Sequence, residues 1–251
     1  MAATTPIQET DLEFDNGSFD SAAFAAHALS SWQTLAAVID HTLLKPDATR
    51  EQVENLCNEA IRYRFACAMV NPVWASTAVG VLSGTGIPVG VVIGFPLGAS
   101  LVSTLRQEAA ALTRLGAREL DMVIPIGQLK SGNHQAVHHA IHAAVTVAHH
   151  HSALLKVILE TALLTVAEKL RAAEIAIQAG ADFLKTSTGF GSGGATPADV
   201  ALLRGVAGAR SGVKASGGIR TLADVRALLE AGANRIGASA SVAIVRELGA
   251  E

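Results

Sequence analysis

The chain has 251 residues, of which 50% are apolar, 16% are charged and 4% are aromatic, and its formal net charge is −3. This composition argues against extended disorder, and the small number of aromatic residues and the absence of a long basic run argue against a nucleic-acid partner. No segment offers about 18 unbroken apolar residues, so no membrane-spanning helix is expected.

The first 25 or so residues differ from the rest of the chain. They carry Asp11, Glu13, Asp15 and Asp20 among small residues, without the basic start and apolar centre of a signal peptide. We therefore predict a frayed or loosely packed N-terminal extension over residues 1–30, followed by one domain over 31–251. The two cysteines are too few for a disulfide framework, which favours a reducing compartment and hence the cytoplasm.

Eight short β-rich segments follow in chain order, and several are apolar nearly throughout, as parallel strands covered on both faces are. The predicted strands lie within residues 38–44, 65–71, 88–95, 119–125, 154–160, 183–189, 212–218 and 235–239. Helical patterns with capping residues lie between them, most clearly at 48–63, 100–115, 133–151, 165–179 and 221–231. Eight such units in about 250 residues predict an α/β fold, a single (β/α)8 TIM barrel, although a doubly wound open sheet also alternates strands and helices.

Ionisable residues occupy the same internal position of several predicted strands. Asp121, Lys156, Lys185 and Lys214 follow one another at intervals of 35, 29 and 29 residues, one strand–helix unit each time, and Asp40 holds the same place in the first strand. In a barrel, such positions on successive strands can point to one interior, near the C-terminal face where barrel enzymes place their chemistry. The pattern therefore predicts one polar site rather than five separate charges.

Two interpretations of this set remain: structural ion pairs, or a site with a reactive amine. Three lysines against two aspartates neutralise each other poorly, which favours the reactive amine. Lys185 and Lys214 lie on neighbouring predicted strands, where desolvation and a second ammonium both favour an uncharged amine. An uncharged lysine can form a Schiff base with a carbonyl, and the carboxylate and the second lysine can move protons. We therefore expect carbonyl chemistry without a metal.

Glycine-rich loops follow the last three predicted strands, at 188–194, 216–220 and 237–241. In barrels, loops at these places commonly bind phosphate through backbone N–H groups, although the glycines could also serve only tight turns. Gly189, Gly191 and Gly194 match a dinucleotide-binding pattern, but no acidic residue follows at the distance that pattern requires. A phosphorylated substrate is therefore favoured over a nicotinamide cofactor.

Histidines are concentrated in one predicted helix, between residues 134 and 151. His134, His138 and His142 are four residues apart and would share one helix face, a spacing that can bind zinc. No acidic residue lies in this stretch, so we interpret it as a solvated outer helix and predict no metal site. His41, next to Asp40, is expected to face the helices if Asp40 faces inward.

Five motifs resemble the deoxyribose-phosphate aldolase family of class I, Schiff-base aldolases, and the resemblance runs from about Val38 to Val245. The motifs are IDHTLLKPDAT (39–49), ELDMVIPIGQLKSG (119–132), LLKVILET (154–161), GADFLKTSTGF (180–190) and VKASGGIRT (213–221). The resemblance implies that Lys185 forms the Schiff base, that Lys214 activates it, and that Asp121 donates and accepts protons.

The implied reaction is the reversible cleavage of 2-deoxy-D-ribose 5-phosphate to D-glyceraldehyde 3-phosphate and acetaldehyde, without a cofactor, in a cytoplasmic homodimer or homotetramer. The candidate substrate- and phosphate-binding residues are Asp40, Thr42, Lys156, Thr186, Gly189, Gly217, Gly218, Gly237 and Ser239. Two alternatives are an aldolase for longer keto or bisphosphate sugars, which would need a further basic cluster, and a catalytically silent barrel, which would have lost the interior charges.

Three positions depart from the family pattern. Met69 stands where a cysteine is common, Ala240 stands where many members have a second serine, and the only tyrosine is Tyr63, so a tail tyrosine that reaches the site in some members is missing. We expect proton transfer to depend on side chains of the barrel and on water.

Overall fold

The computed structural model describes residues 19–251 and contains eight parallel strands that close into a barrel in chain order, with the last strand paired to the first. Each strand lies inside one of the eight predicted segments. The strands are β1 Ile39–Leu43, β2 Cys67–Val70, β3 Val89–Ile93, β4 Glu119–Val123, β5 Leu154–Ile158, β6 Phe183–Lys185, β7 Gly212–Ser216 and β8 Arg235–Ala238. The closed order confirms the predicted TIM barrel and excludes the doubly wound sheet.

Helices follow the strands and form the outer layer. They are α1 Ser21–Ala28, α2 Trp32–Ala36, α3 Arg50–Tyr63, α4 Ala75–Leu82, α5 Val102–Leu115, α6 Ile126–Lys130, α7 His134–His150, α8 Val166–Gln178, α9 Pro197–Ala207, α10 Leu222–Glu230 and α11 Ser241–Glu247. Reciprocal side-chain caps at Thr49, Thr165 and Thr221 begin three of them, and Gly116 ends α5 with a φ of 115°. Within the described residues, no helix is both long and apolar enough to cross a membrane.

The helix α1 lies in the segment where we expected loose packing. Asp20 caps its first turn by accepting the N–H of Ala23 at 2.9 Å, and Phe24 is buried. The helix packs against α10, and the guanidinium of Arg204 lies 3.9 Å from the centre of the Phe19 ring. Residues 21–28 are thus packed structure, contrary to the expectation. The other acidic residues on which it relied lie outside the described residues, and the division at residue 30 stays a prediction.

Strand residues alternate between two environments. The register partners Leu120 and Leu155 belong to the core between strands and helices, whereas the next pair, Asp121 and Lys156, lies on the opposite face, inside the barrel. The interior is itself divided. Beside β1–β3 it is an apolar cluster of Leu44, Cys67, Met69 and Val92, and the charged residues occupy the rest. Apolar neighbours on one side and helices outside keep water from the charged groups.

Candidate active site

Parallel pairing brings the predicted ionisable residues together. Lys156 on β5 is the register partner of Asp121 on β4, and Lys214 on β7 is the register partner of Lys185 on β6. Lys185 and Lys214 therefore lie on neighbouring strands, as the sequence predicted. Asp40 on β1 joins them from across the closed barrel, where its carboxylate accepts a hydrogen bond from Lys214 Nζ at 2.5 Å.

Asp121 is the centre of the site. Its Oδ2 accepts hydrogen bonds from Lys185 Nζ and from Lys214 Nζ, each at 2.7 Å. Its Oδ1 accepts from Lys156 Nζ at 3.0 Å. One carboxylate thus contacts all three interior lysines. Lys185 and Lys214, the two amines whose charges were predicted to influence each other, donate to the same oxygen atom.

Two interior charges were not recognised from the sequence: Glu119 and Arg235. Lys156 donates to Glu119 Oε2, and Arg235 Nη1 lies 2.9 Å from Asp40 Oδ1 and 3.4 Å from Glu119 Oε1. Strand alternation could have revealed Glu119, which is two residues before Asp121 on the same face, and register could have revealed Arg235, the partner of Lys214. Counting three lysines against two aspartates was therefore wrong, since four cations meet three carboxylates.

Burial and charge together shift the pKa of Lys185. Its side chain is 3% exposed, and removal from water lowers its pKa; the attraction of Asp121 opposes this, and the positive charge of Lys214 adds to the lowering. The pKa of Lys185 is thus lowered to about 8. Near neutral pH, about one Lys185 side chain in ten is then an uncharged nucleophile.

Lys156 is equally buried but differs in its electrostatics. Burial tends to lower its pKa, but Asp121, Glu119 and Asp40 outweigh burial and raise the pKa of Lys156 well above its usual value. The opposite pKa shifts distinguish these two buried lysines on adjacent strands: Lys156 stays a cation, and Lys185 can lose its proton.

The two interior aspartates stay ionised. Burial alone would raise the pKa of Asp121, but Lys156, Lys185 and Lys214 lower it well below its ordinary value. The pKa of Asp40 is lowered as well, because the neighbouring cations, Lys214 first among them, outweigh its burial. Both carboxylates can therefore accept a proton only from a strong acid or from a group that reacts beside them.

His41 faces away from this site, as predicted. Its Nε2 lies 2.7 Å from a carboxylate oxygen of Glu59 on α3, and its ring packs 4.8 Å from that of Phe65. Burial lowers the pKa of His41, and Glu59 opposes that shift. The histidine thus links strand and helix and does not reach the barrel interior.

Two of the glycine-rich loops, those after β6 and β7, meet at the C-terminal face. Gly189, Gly217 and Gly218 have φ values of 83°, 88° and 79°, a region that favours glycine. Gly194 lies so close to the next loop that a Cβ there would be 2.2 Å from the carbonyl oxygen of Gly217. The predicted phosphate-binding loops after β6 and β7 are therefore in direct contact.

Other candidate substrate-binding residues have local roles in the structure. The Thr42 hydroxyl donates to the carbonyl of Asp40 at 2.9 Å, and the Thr186 hydroxyl both donates to and accepts from the backbone of Ser216. A Cβ on Gly237 would lie 2.9 Å from Lys214 Cε, so glycine at this position makes room for the lysine. Ser239 is exposed at the end of β8.

Departures from the family pattern also have places in the structure. Met69 lies in the apolar interior cluster. The Tyr63 hydroxyl donates to the Glu251 carbonyl at 3.0 Å, and its ring packs edge-on against Trp32 in the outer layer.

A metal fits neither candidate place in the described part of the chain. The rings of His138 and His142 stack on α7, 5.8 Å apart, but no third ligand in residues 19–251 joins them. Inside the barrel, ligand atoms of Asp40, Cys67 and Glu119 lie within 4.8 Å of one another. Those carboxylates already pair with buried cations, and burial, with both carboxylates, raises the pKa of the Cys67 thiol well above its usual value. A protonated thiol among cations is a poor metal ligand.

Comparisons with known proteins agree with this geometry. The model of the DeoC/LacD family aldolases matches residues 34–247. The deoxyribose-phosphate aldolase of Geobacillus sp. strain WCH70 is 53% identical over 211 residues, 84% of this chain and 94% of that protein. The enzyme of that name from Listeria monocytogenes is 53% identical over 212 residues, with 84% and 95% covered.

A solved structure is similar as well. The tetrameric deoxyribose phosphate aldolase of Aeropyrum pernix superposes with a TM-score of 0.83 at 37% identity, covering 91% of this chain and 96% of that one. Matching fold, extent and sequence lead to one conclusion: the chain belongs to the DeoC/LacD family of aldolases.

Proposed function

We propose that this protein is a deoxyribose-phosphate aldolase that cleaves 2-deoxy-D-ribose 5-phosphate reversibly to D-glyceraldehyde 3-phosphate and acetaldehyde. The observation that carries the proposal is the pair of amines on one carboxylate oxygen, of which Lys185 has a pKa of about 8. The similarity to enzymes of this name over most of the chain supports the same substrate.

In the first half of the reaction, uncharged Lys185 Nζ attacks the C1 aldehyde of the open-chain sugar. The resulting carbinolamine takes up a proton on its hydroxyl and loses water, which leaves an iminium ion. Asp121 accepts a hydrogen bond from Lys185, and Lys214 donates to the same oxygen of Asp121. Both side chains are therefore placed to deliver and recover these protons.

Carbon–carbon cleavage follows from the iminium ion. A base removes the proton of the C3 hydroxyl, and the C2–C3 bond breaks as C3 becomes the aldehyde carbon of glyceraldehyde 3-phosphate. The electron pair of the broken bond forms the C1–C2 double bond, and the π pair of the iminium ion moves to the nitrogen, which gives an enamine. Protonation of the enamine at C2 and addition of water release acetaldehyde and regenerate Lys185. Every step uses side chains of the chain and water, and no cofactor takes part.

The phosphate group is assigned to the C-terminal loops. Gly189, Gly217 and Gly218 let the backbone N–H groups of two touching loops approach an anion closely, and Ser239 adds an exposed hydroxyl. Asp40 and Lys156 keep the charge balance below them.

We further propose that the protein is a homodimer or homotetramer, in line with the tetrameric Aeropyrum relative. Light scattering measures the size of the oligomer. Cytoplasmic location stays a prediction.

The direct test is an assay with 2-deoxy-D-ribose 5-phosphate in which glyceraldehyde 3-phosphate and acetaldehyde are measured separately. We expect both products in equal amounts and no cleavage by Lys185→Arg, which keeps a charge but forms no Schiff base. Wild-type protein that releases neither product would contradict the proposed function.

A further inference from the structure

Glu160 is a buried carboxylate that the proposed mechanism does not use. It lies just beyond the C-terminal end of β5 and is 3% exposed. Its backbone has φ 57° and ψ 62°, a left-handed conformation that is disfavoured for any residue with a Cβ. Such a conformation persists where surrounding contacts hold it, often at functional sites.

The carboxylate of Glu160 holds the beginning of the glycine-rich loop after β6. Its Oε2 accepts the backbone N–H of Thr188 at 3.2 Å and the Thr188 hydroxyl. The same hydroxyl oxygen accepts the N–H of Phe190 at 3.0 Å. A Cβ on Gly191 would lie 3.3 Å from Glu160 Cδ, so the loop passes directly over the carboxylate.

The far end of this loop is fixed by its neighbour. The N–H of Ala195 donates to the Gly217 carbonyl at 3.0 Å, and Gly194 packs against the same peptide group. Glu160 therefore fixes the beginning of the loop and Gly217 fixes its end. The stretch between them includes Gly189, whose N–H we assign to phosphate binding.

The hydrogen bonds that Glu160 makes point to loop positioning. Its other oxygen, Oε1, accepts no hydrogen bond from a described residue, so the bonds from Thr188 hold the side chain. Burying a carboxylate costs free energy unless hydrogen bonds compensate, and the compensating bonds of Glu160 come from Thr188 at the beginning of the loop. These contacts indicate that Glu160 serves to hold the loop. We propose that Glu160 is a positioning residue for phosphate recognition, holding the loop after β6 in the shape that binds the phosphate group. This inference rests on the proposed function.

The experiment compares 2-deoxy-D-ribose 5-phosphate with unphosphorylated 2-deoxy-D-ribose. In Glu160→Ala we expect the ratio of the two kcat/KM values to fall about tenfold, as for the loss of one charge-assisted hydrogen bond, with most of the change in KM for the phosphorylated sugar. Thr188→Val, which removes the donor hydroxyl at nearly constant volume, lowers the ratio similarly, and the double variant is no worse than the poorer single one.

Glu168→Ala is the matched control. Glu168 also accepts a threonine N–H, at 2.8 Å from Thr165, but on the outer helix layer, so the ratio should stay at the wild-type value. Equal losses on both sugars, or a ratio that does not change in either single variant, would overturn the inference. Should Glu160→Ala fail to fold by circular dichroism, Thr188→Val decides alone. Wild-type protein that cleaves neither sugar would instead disprove the proposed function, and the inference with it.

Discussion

The most informative perturbation is Lys214→Leu, which removes the second ammonium beside Lys185. Four cations and three carboxylates then become three of each, so the buried cluster becomes balanced in charge and the fold should survive. Lys214 and Lys185 each lie 2.7 Å from the same oxygen of Asp121, so their nitrogens are at most twice that distance apart.

The expected effect follows from that separation. Two unit charges about 4–5 Å apart, at an effective dielectric constant of about 20, repel each other by about 3–4 kcal/mol. At about 1.4 kcal/mol per pKa unit, this repulsion corresponds to about two to three units. Burial, the larger cause of the lowered pKa, remains in the variant, so we expect the pKa of Lys185 to rise from about 8 by about two units. The uncharged fraction at pH 7 then falls about a hundredfold, and kcat/KM falls at least as much.

The assay is the pH dependence of kcat/KM for wild type, for Lys214→Leu and for the control Lys130→Leu. Lys130 pairs with Glu168 outside the barrel, so its removal should leave the profile unchanged. In wild type, activity should rise with pH through about 8, and in Lys214→Leu this limb should move upwards. A limb that stays near pH 8 would refute the electrostatic role of Lys214, and unchanged turnover would remove this lysine from the mechanism.

Other consequences concern stability and thiol reactivity. Glu119→Gln leaves buried Lys156 with one carboxylate partner fewer, so the free energy of unfolding measured in urea should fall by about 3 kcal/mol. An unchanged urea midpoint would argue against that pairing. The interior aspartates have lowered pKa values, so their contribution to stability is complete above about pH 4 and is lost as the pH falls below it. Urea unfolding at pH 3 and pH 6 measures this, and equal stability at both would contradict it. Burial raises the pKa of Cys57 to about 11 and raises that of Cys67 well above its usual range, so iodoacetamide at pH 7.5 should label fewer than about one native molecule in ten. Rapid labelling of either thiol before denaturation would show that it is accessible.

The sequence was sufficient to predict the barrel and the central amines. Buried parallel strands are apolar, so Asp121, Lys156, Lys185 and Lys214 stood out against their neighbours, and their regular spacing predicted one shared interior. The expected common position holds within the pairs Asp121–Lys156 and Lys185–Lys214, but the β5–β6 register pairs Lys185 with Ile158 and not with Lys156. The register Lys185–Lys214 then follows from the regular pairing of adjacent strands.

Other features were not predicted. Glu119 and Arg235 each begin a strand, where a charge is ordinary, so they did not stand out, although alternation and register place both in the interior. Further features depend on contacts distant in sequence: only the closure of the barrel brings Arg235 against Asp40. The packing of α1 depends on α10, about 200 residues later. The reason for glycine at position 237 is the width of the Lys214 side chain on the neighbouring strand.

The central claim is that Lys185 is the amine that bonds to the substrate. Reduction with borohydride in the presence of acetaldehyde traps the iminium ion as a stable ethyl-lysine, and peptide mass mapping locates it. The account predicts the adduct on Lys185 in wild type, with none in Lys185→Arg. An adduct on Lys156 or Lys214 instead would contradict the claim.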